Sequence, residues 1–276
     1  MLRLIMFCVI ALVAPPLQAQ SCGQAEVPCQ APGGTYHIVL PDGDGPHPVV
    51  VFLHGFGGTG NGVVRNRGLL QPILDRGYAV IAPQGLPFRE GMKGGSWNSM
   101  KREAARDDVA FLTEVLAAAS AVFPLSPDRT LLTGFSGGAM MTWRVACDAP
   151  ERFAAYAPIA GMLWLPLPDK CEGPFYLHHT HGWSDPVVPI EGRSVASGQF
   201  TQGNIFIGFD LLRDANGCLR DDPDEYGEVG IYLTRQWTDC TSGTMLEMAL
   251  HPGGHSIPPR WSALALDWFE RIRGGN

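Results

Sequence analysis

Residues 131–141 read LLTGFSGGAMM, and this stretch decides the fold. The apolar residues before Gly134 indicate a buried strand, and the sequence from about Gly137 to Cys147 is typical of a helix. The turn between them carries G-x-S-x-G, with Ser136 at its tip. A serine on so sharp a turn needs small residues two positions before and after it, because larger side chains would clash. The stretch therefore predicts a strand–turn–helix unit with an exposed serine hydroxyl; a serine in an ordinary glycine-rich turn is the plainer alternative.

Strand-like and helix-like segments alternate along the rest of the chain. The predicted strands are 35–40, 48–53, 77–83, 129–132, 153–159, 174–179, 230–237 and 245–250. The predicted helices are 107–123, 137–147, 205–213 and 261–272. Such alternation is typical of the α/β class, in which a mostly parallel sheet carries helices on both faces. The acidic residues 221–228 are expected to form a surface loop, and we find no internal repeat or interdomain linker.

A second glycine-rich turn follows the strongest strand, where residues 49–60 read VVVFLHGFGGTG. Its G-x-G-x-x-G pattern raises the alternative of a dinucleotide-binding turn, which would need an acidic residue at the end of the next strand. That strand ends instead in Pro83 and Gln84. In α/β hydrolases, a His-Gly turn in this place supplies a backbone N–H to the oxyanion of the reacting carbonyl. The His54–Gly58 segment suits that role better than it suits a nicotinamide cofactor.

A serine nucleophile needs a base, and the base needs a carboxylate that orients it. In α/β hydrolases these groups follow the chain order serine, acid, histidine. Of the eight histidines, His255 lies in a flexible turn, PGGHS, after the predicted strand 245–250. Asp185 lies in HGWSDPVVP, after the predicted strand 174–179. The order predicts a triad of Ser136, Asp185 and His255; taken singly, His255 also fits a surface-loop histidine, and Asp185 a turn-forming residue.

Three further histidines, His178, His179 and His181, lie in or just after the predicted strand that precedes Asp185. Alternate residues of a strand share a face, so His179 and His181 could bind a metal ion together. The H-x-H-x-D pattern of some hydrolases would need an acid at position 183, where Trp183 stands. We therefore interpret these histidines as core or supporting residues, and we predict neither a metal ion nor another cofactor.

The first nineteen residues, MLRLIMFCVIALVAPPLQA, have the layout of a secretory signal. Arg3 precedes an apolar run too short to span a bilayer, prolines interrupt that run, and cleavage is expected after Ala19. Residues 20–276 are then expected to form a single catalytic domain that is secreted or periplasmic. The net charge of −7 argues against nucleic acid or an anionic membrane as partner, and no other segment is apolar enough for a membrane span.

Six of the seven cysteines remain once the signal is removed. An even number in an exported chain predicts disulfides, although the sequence does not determine their pairing. Closeness in sequence favours Cys22–Cys29, Cys147–Cys171 and Cys218–Cys240. A zinc site is disfavoured, because the spacings lack the C-x-x-C pairs typical of such sites.

Taken together, these motifs resemble those of the secreted polyhydroxybutyrate depolymerase / feruloyl esterase family of α/β hydrolases. The matching motifs are LHGFGG (53–58), SWN (96–98), DDV (107–109), GFSGGAMM (134–141), HGWSDPVVP (181–189) and HPGGHSIP (251–258). The resemblance implies an α/β-hydrolase fold and the same triad. It also implies oxyanion donors at the backbone N–H groups of Phe56 and Gly137. The chain departs from many relatives in lacking a tryptophan shortly after the base.

The resemblance and the triad predict a secreted serine ester hydrolase that acts on a small-molecule or oligomeric ester. A serine peptidase of the same fold and a non-catalytic secreted carbohydrate-binding module are the alternatives. Trp97, Trp164 and Trp183 are expected to bind substrate, with Trp183 favoured because it adjoins the acid, although a buried tryptophan more often belongs to the core. We expect no separate adsorption module after the predicted domain. Soluble short-acyl or aromatic-acyl esters are therefore expected over crystalline polyhydroxybutyrate.

Overall fold

The computed structural model describes Cys22 and residues 27–274, so the predicted signal lies outside the described residues. The helices are α1 (Gly60–Arg65), α2 (Arg67–Leu74), α3 (Asp108–Ser120), α4 (Gly137–Asp148), α5 (Ile205–Asn216) and α6 (Trp261–Gly274). The strands are β1 (Cys29–Ala31), β2 (Gly34–Val39), β3 (His47–Leu53), β4 (Ala79–Pro83), β5 (Leu125–Phe135), β6 (Ala155–Ile159), β7 (Leu177–Gly182), β8 (Ser194–Val195), β9 (Phe200–Thr201), β10 (Glu225–Val229), β11 (Tyr232–Trp237) and β12 (Leu246–His251). None of the helices described is both long enough and apolar enough to cross a bilayer.

Ten strands of the described chain form one sheet in the order β1-β2-β4-β3-β5-β6-β7-β12-β11-β10. The run from β4 to β12 in that order is parallel. Antiparallel pairs complete both edges, and β8 and β9 form a separate short hairpin. The prediction of an α/β fold with a mostly parallel sheet is confirmed.

Strand β3 shows why helices cover both faces of this sheet. Val49, Val51 and Leu53 belong to one apolar cluster, which they share with α3, α4 and α5. Val50 and Phe52 belong to a second cluster, shared with α1, α2 and α6. Successive residues of a strand point to opposite faces, so a strand that is covered on both sides must be apolar throughout. The continuous run VVVFL meets this requirement.

The sequence pattern gives no helix between residues 54 and 76, yet α1 and α2 occupy most of this segment. Helix α1 begins after Thr59, whose side-chain oxygen accepts a hydrogen bond from Gly62 N at 2.9 Å. Glycine has low helix propensity and no side chain that could show an apolar period, which explains why the pattern misses α1. Packing of both helices against the sheet compensates for this weak local preference.

The prediction of a surface loop over the acidic residues 221–228 is wrong for its second half. Glu225–Val229 forms β10, which pairs with β11 across a two-residue turn at Gly230 and Ile231. All five residues of β10 are exposed. Charged side chains suit an edge strand, because they discourage pairing with another chain. A charged, solvent-facing strand carries no apolar alternation by which to recognise it.

Two other strands differ from prediction in ways that matter for the site. Strand β5 is longer than residues 129–132 and extends to Phe135, directly before Ser136. Strand β7 begins and ends three residues later than predicted, so His181 lies inside the strand rather than after it. Its side chain is consequently buried in the sheet.

Three disulfides join Cys22 to Cys29, Cys147 to Cys171, and Cys218 to Cys240. The predicted pairing is confirmed. The second bridge ties the end of α4 to the segment before β7, and the third ties the segment after α5 to the segment after β11. Both therefore constrain connections at the rim of the sheet.

Candidate active site

The carboxyl ends of the parallel strands bring the predicted site residues to one edge of the sheet. Ser136 follows β5 directly, Asp185 follows β7 by three residues, and His255 follows β12 by four. Strands β5, β6, β7 and β12 are neighbours in that order, so their ends lie side by side. Ligand sites of open α/β sheets lie outside this edge of the strands.

Ser136 occupies the tip of a strained turn between β5 and α4. Its φ is 56° and its ψ is −117°, a conformation that residues other than glycine rarely adopt. The flanking glycines are required for steric reasons. A Cβ on Gly134 would lie 2.6 Å from the carbonyl carbon of Gly138, and one on Gly138 would lie 2.2 Å from Leu53 O. The G-x-S-x-G pattern thus reflects how closely this turn approaches β3.

The side chains of Ser136, His255 and Asp185 form a continuous line of contacts. His255 Nε2 lies 2.9 Å from Ser136 Oγ, and His255 Nδ1 lies 2.7 Å from Asp185 Oδ2. An ionised carboxylate only accepts hydrogen bonds, so Nδ1 carries the proton and Nε2 is free to accept the serine proton. The arrangement is able to move a proton from serine to imidazole.

Asp185 is held as a carboxylate by its loop. Its Oδ1 atom accepts hydrogen bonds from Val187 N at 2.8 Å and Val188 N at 2.9 Å. Burial opposes ionisation of Asp185, but the hydrogen bonds from His255, Val188 and Val187 outweigh it, and the pKa lies below its ordinary value. The negative charge therefore stays beside the imidazole at neutral pH.

The His54–Gly58 turn lies directly against the serine. A Cβ on Gly137 would lie 3.2 Å from Phe56 N, and a Cβ on Gly55 would lie 3.5 Å from Ser136 Cβ. The backbone amides of Phe56 and Gly137 are therefore close together beside Ser136. This contact with the serine turn is what an oxyanion-binding loop needs, and it leaves the dinucleotide alternative without support.

Trp97 and His54 fix the conformation of this turn. His54 Nε2 accepts a hydrogen bond from Gly85 N at 3.0 Å, which leaves Nδ1–H to donate to Gly55 O at 2.8 Å. Trp97 Nε1 donates to His54 O at 2.8 Å. Burial lowers the pKa of His54, which keeps its ring neutral and preserves both hydrogen-bonding roles. Trp97, predicted as a substrate residue, thus also stabilises the turn.

A cavity of about 310 Å³ opens beside Ser136. Phe56, Phe88, Phe200 and Trp164 line it and contact one another edge to face. Their ring centroids are 5.9 Å apart for Phe56–Phe88, 6.4 Å for Phe88–Phe200 and 6.1 Å for Trp164–Phe200. The cavity can therefore hold an apolar, flat group next to the serine hydroxyl.

The three predicted tryptophans do not share this cavity. Trp97 and Trp164 line it, whereas Trp183 does not. Trp183 is 64% exposed and lies in a separate groove of about 720 Å³ with Tyr226 and Leu233. The backbone explains this separation, because Trp183 N donates to His251 O at 2.7 Å and so continues the pairing of β7 with β12 past its end.

Sequence reasoning missed Phe88, Phe200 and the side chain of Phe56. Phe88 lies outside the helices and strands, and Phe200 lies in the two-residue β9. Neither segment has a periodicity that would mark its aromatic residue as part of a site. The remaining signal is a single aromatic residue among polar and glycine-rich neighbours, as in SGQFTQG.

The strand histidines are paired with other side chains. His178 Nδ1 lies 2.6 Å from Glu247 Oε1, and His179 Nε2 lies 3.1 Å from His181 Nδ1. In the part of the chain that the structure describes, no group of three or more His, Cys, Asp or Glu side chains is arranged to hold a metal ion.

The sequence matches a known protein family over most of its length. The profile of the phospholipase/carboxylesterase family matches residues 35–206, which include Ser136 and Asp185. The chain belongs to that family. It is thus an α/β hydrolase of the carboxylic-ester hydrolase type, as the sequence motifs predict.

Curated relatives carry esterase and depolymerase names. Feruloyl esterase C of Emericella nidulans is 28% identical over 68% of this chain and 68% of its own length. The putative esterase NocK of Nocardia uniformis is 31% identical over 57% of this chain, but the match spans only 44% of NocK. Poly(3-hydroxyoctanoate) depolymerase of Pseudomonas fluorescens is 37% identical over 44% of this chain and 46% of its own length. The predicted resemblance to feruloyl esterases and polyester depolymerases is confirmed.

Solved structures share the fold. An acetyl xylan esterase from Aspergillus awamori matches with a TM-score of 0.62 at 17% identity, covering 86% of this chain and 94% of its own. The carboxylesterase of Bacillus cereus matches with a TM-score of 0.55 at 16% identity, covering 86% and 94%. At such identities the likeness concerns the fold alone.

Proposed function

We propose that the protein is a serine esterase in which Ser136 is the nucleophile, His255 the base and Asp185 the acid that orients it. The observation that carries the proposal is the contact line from Ser136 Oγ to Asp185 Oδ2 through both nitrogens of His255, at 2.9 and 2.7 Å. A serine on a strained turn at the edge of a cavity, followed by a base and a buried carboxylate, is the arrangement that acyl transfer requires.

In the proposed reaction, Ser136 Oγ attacks the ester carbonyl carbon while His255 Nε2 takes the serine proton. The carbonyl oxygen becomes negatively charged and accepts hydrogen bonds from the backbone N–H groups of Phe56 and Gly137. His255 then donates the proton to the leaving alkoxide, which departs as the alcohol and leaves an acyl group on Ser136. A water molecule gives a proton to His255 Nε2 while its oxygen attacks the acyl carbon. His255 then returns that proton to Ser136 Oγ as the bond between Oγ and the acyl carbon breaks, which releases the carboxylic acid and restores the serine.

We place the acyl group of the substrate in the cavity beside Ser136. Its wall of Phe56, Phe88, Phe200 and Trp164 supports an apolar acyl group, and edge-to-face rings around a gap suit a flat aromatic acid. The feruloyl esterases among the relatives are named for such an acid. The substrate class is therefore a soluble ester of an aromatic or short acyl group rather than a crystalline polyester.

We place the alcohol group on the side of Trp183. His255 protonates the leaving oxygen, so the alcohol departs toward the loops that carry His255 and Asp185. These loops are joined, since Ser184 N donates to Gly253 O at 3.2 Å. The groove beside them exposes Trp183 and Tyr226, which are 64% and 68% exposed. Exposed amphipathic rings of this kind suit a sugar ring of a carbohydrate ester.

We also propose that residues 1–19 direct export and that residues 20–276 fold as one catalytic domain. The three disulfides support an oxidising compartment, such as the periplasm or the medium, because cytosolic proteins rarely keep such bonds.

A fluorophosphonate probe tests the nucleophile directly. The wild-type protein should react once, and peptide mapping should locate the adduct on Ser136, while Ser136→Ala should neither react nor hydrolyse p-nitrophenyl acetate. Ser126→Ala is a matched control, because Ser126 lies at the opposite end of the same strand and its hydroxyl donates only to Pro46 O at 3.4 Å. Near-wild-type hydrolysis by folded Ser136→Ala would exclude this mechanism, and turnover of a p-nitroanilide above the matched ester would favour a peptidase.

The substrate class is tested with one enzyme preparation and four substrates. Methyl ferulate and short p-nitrophenyl esters should be hydrolysed faster than soluble hydroxybutyrate oligomers, and solid polyhydroxybutyrate should be cleared slowly. Phe200→Ala should raise KM for methyl ferulate more than KM for p-nitrophenyl acetate, because the larger acyl group needs the aromatic wall. Efficient clearing of the solid polymer with weak turnover of small esters would overturn this substrate proposal.

A further inference from the structure

Two fully buried histidines on β7 lie beneath the Asp185 loop and take no part in the reaction proposed above. His179 and His181 have no solvent-exposed surface, and their rings stack with centroids 5.2 Å apart. A polar group that is completely buried costs free energy unless it is hydrogen-bonded. The hydrogen-bond partners of these two rings indicate what the pair does.

The hydrogen bonds of this pair have a direction that is set at both ends. At one end, Trp143 Nε1 lies 3.2 Å from His179 Nδ1, and an indole N–H can only donate. At the other end, His181 Nε2 lies 2.8 Å from Val188 O, and a carbonyl can only accept. His179 Nδ1 must therefore be unprotonated, and His181 Nε2 must carry a proton.

The hydrogen bond between the two rings runs in the same direction, from His179 to His181. His179 Nε2 lies 3.1 Å from His181 Nδ1. With both rings neutral, His179 carries its proton on Nε2 and donates it to the free Nδ1 of His181. A second proton on His179 would face the N–H of Trp143, and a second proton on His181 would face the N–H of His179. Either one would replace a hydrogen bond by a repulsive contact. Burial, together with the neighbouring histidine charge, lowers the pKa of His179, and burial lowers the pKa of His181, in agreement with neutral rings.

The line of hydrogen bonds ends on the loop that holds the acid. Val188 O accepts from His181, while Val188 N donates to Asp185 Oδ1 at 2.9 Å. His181 Nε2 also lies 3.5 Å from Asp185 Oδ2, the oxygen that contacts His255. One imidazole thus holds the peptide that fixes the carboxylate and directs a positive N–H dipole toward it.

We propose that His181 is a positioning residue for Asp185, and that Trp143 and His179 act through it by imposing its Nε2–H tautomer. The proposal rests on the proposed triad, since it concerns the group that orients His255. Through this line of contacts, the core of α4 sets the position of the carboxylate. Without the N–H at His181 Nε2, the 185–188 turn loses one of its anchors and Asp185 moves relative to His255.

The kinetic test compares His181→Ala with His181→Gln. A carboxylate displaced by about 1 Å costs on the order of 10²-fold in rate, so His181→Ala should lower kcat by about that factor with KM nearly unchanged. A displaced Asp185 carboxylate stabilises a protonated base less, so the acid limb of kcat/KM should move to lower pH. His181→Gln keeps an N–H near the Nε2 position and should recover most of kcat and the position of the limb.

The matched control is His178→Gln, on the opposite face of the same strand. His178 contacts Glu247 and Thr180 rather than the acid loop, so its replacement should lower thermal stability without moving kcat or the acid limb. If His181→Ala lowers stability in the same way and leaves kcat and the limb unchanged, His181 is merely structural and the proposal is wrong.

The tautomers supply a test that needs no variant. Nitrogen-15 NMR of the histidine-labelled wild-type protein should show both His179 and His181 as neutral Nε2–H rings between about pH 5 and 8. Trp143→Phe, which removes the obligate donor, should change the ring shifts of His179 and lower kcat without a change in KM. An Nδ1–H tautomer or a titrating ring at His181 would overturn the proposal.

Fluorophosphonate labelling of the wild-type protein distinguishes a failure of the positioning role of His181 from a failure of the proposed triad. If Ser136 is labelled but the His181 variants keep wild-type kinetics, only the positioning role fails. If Ser136 is not labelled, both the proposed triad and the positioning role fail.

Discussion

Replacing Asp185 by asparagine should reverse the hydrogen-bond direction along the proposed triad. The Oδ1 atom of Asp185 accepts from Val187 N and Val188 N at 2.8 and 2.9 Å. Only an oxygen can accept these two hydrogen bonds, so the asparagine amide nitrogen must take the place of Oδ2 and face His255. Nδ1 of His255 must then be the acceptor, and the ring proton moves to Nε2, where it points at Ser136.

The size of the effect follows from that reversal. A base that carries a proton on the nitrogen facing serine cannot remove the serine proton, and losing the correct tautomer costs about 10⁴-fold in kcat. This factor corresponds to about 5.4 kcal/mol of activation free energy. The free energy of unfolding should fall by only about 1–3 kcal/mol, because the loop keeps its two backbone hydrogen bonds to a neutral oxygen. The variant should therefore be folded and almost inactive.

The assay is steady-state hydrolysis of p-nitrophenyl acetate by purified Asp185→Asn, with circular dichroism and thermal unfolding to verify the fold. Asp210→Asn is the matched control, because Asp210 is an exposed residue of α5 with a single ion pair to Arg213. It should keep wild-type kcat. A folded Asp185→Asn that retains more than about one tenth of wild-type kcat would refute the reasoning, since the loop would then not dictate the tautomer of His255.

Three further outcomes are expected. Replacing both Cys147 and Cys171 by alanine opens a loop of 24 residues and should lower the free energy of unfolding by about 3 kcal/mol in urea titrations; an unchanged midpoint would contradict this. Burial opposes ionisation of Glu247, but its hydrogen bond with His178 prevails and lowers the pKa below 4.5. Because the folded pKa is below the unfolded one, this stabilisation is complete above about pH 4.5 and is lost as pH falls through the folded value. Unfolding midpoints of Glu247→Gln should thus depend less on pH below that point, and parallel curves for the two proteins would exclude the effect. Trp183→Ala should raise KM for feruloyl esters of oligosaccharides but not for methyl ferulate, and an equal effect on both would place the alcohol elsewhere.

The sequence by itself determines the fold class and the candidate residues at the sheet edge. Steric demands are the reason, because a serine turn with φ of 56° that approaches β3 to within contact tolerates only glycine at 134 and 138. The apolar run of β3 likewise predicts burial on both faces, because successive residues of a strand point to opposite sides of the sheet. Each cysteine bonds to its neighbour along the chain, a pairing that closeness in sequence favours and that the structure decides.

Only the tertiary structure decides what surrounds that turn. Phe88 and Phe200 meet at 6.4 Å although more than a hundred residues separate them, and their segments have no period by which to locate them. Strand β10 exists because β11 offers it a partner, which no local preference of an acidic segment reveals. The role of His181 likewise depends on Trp143 and Val188, which lie on separate elements and share hydrogen bonds with the two histidines only once the sheet has formed. Local steric constraints involve adjacent residues and can therefore be recognised in the sequence. Cavities and hydrogen-bond directions arise from contacts between residues that are distant in the chain.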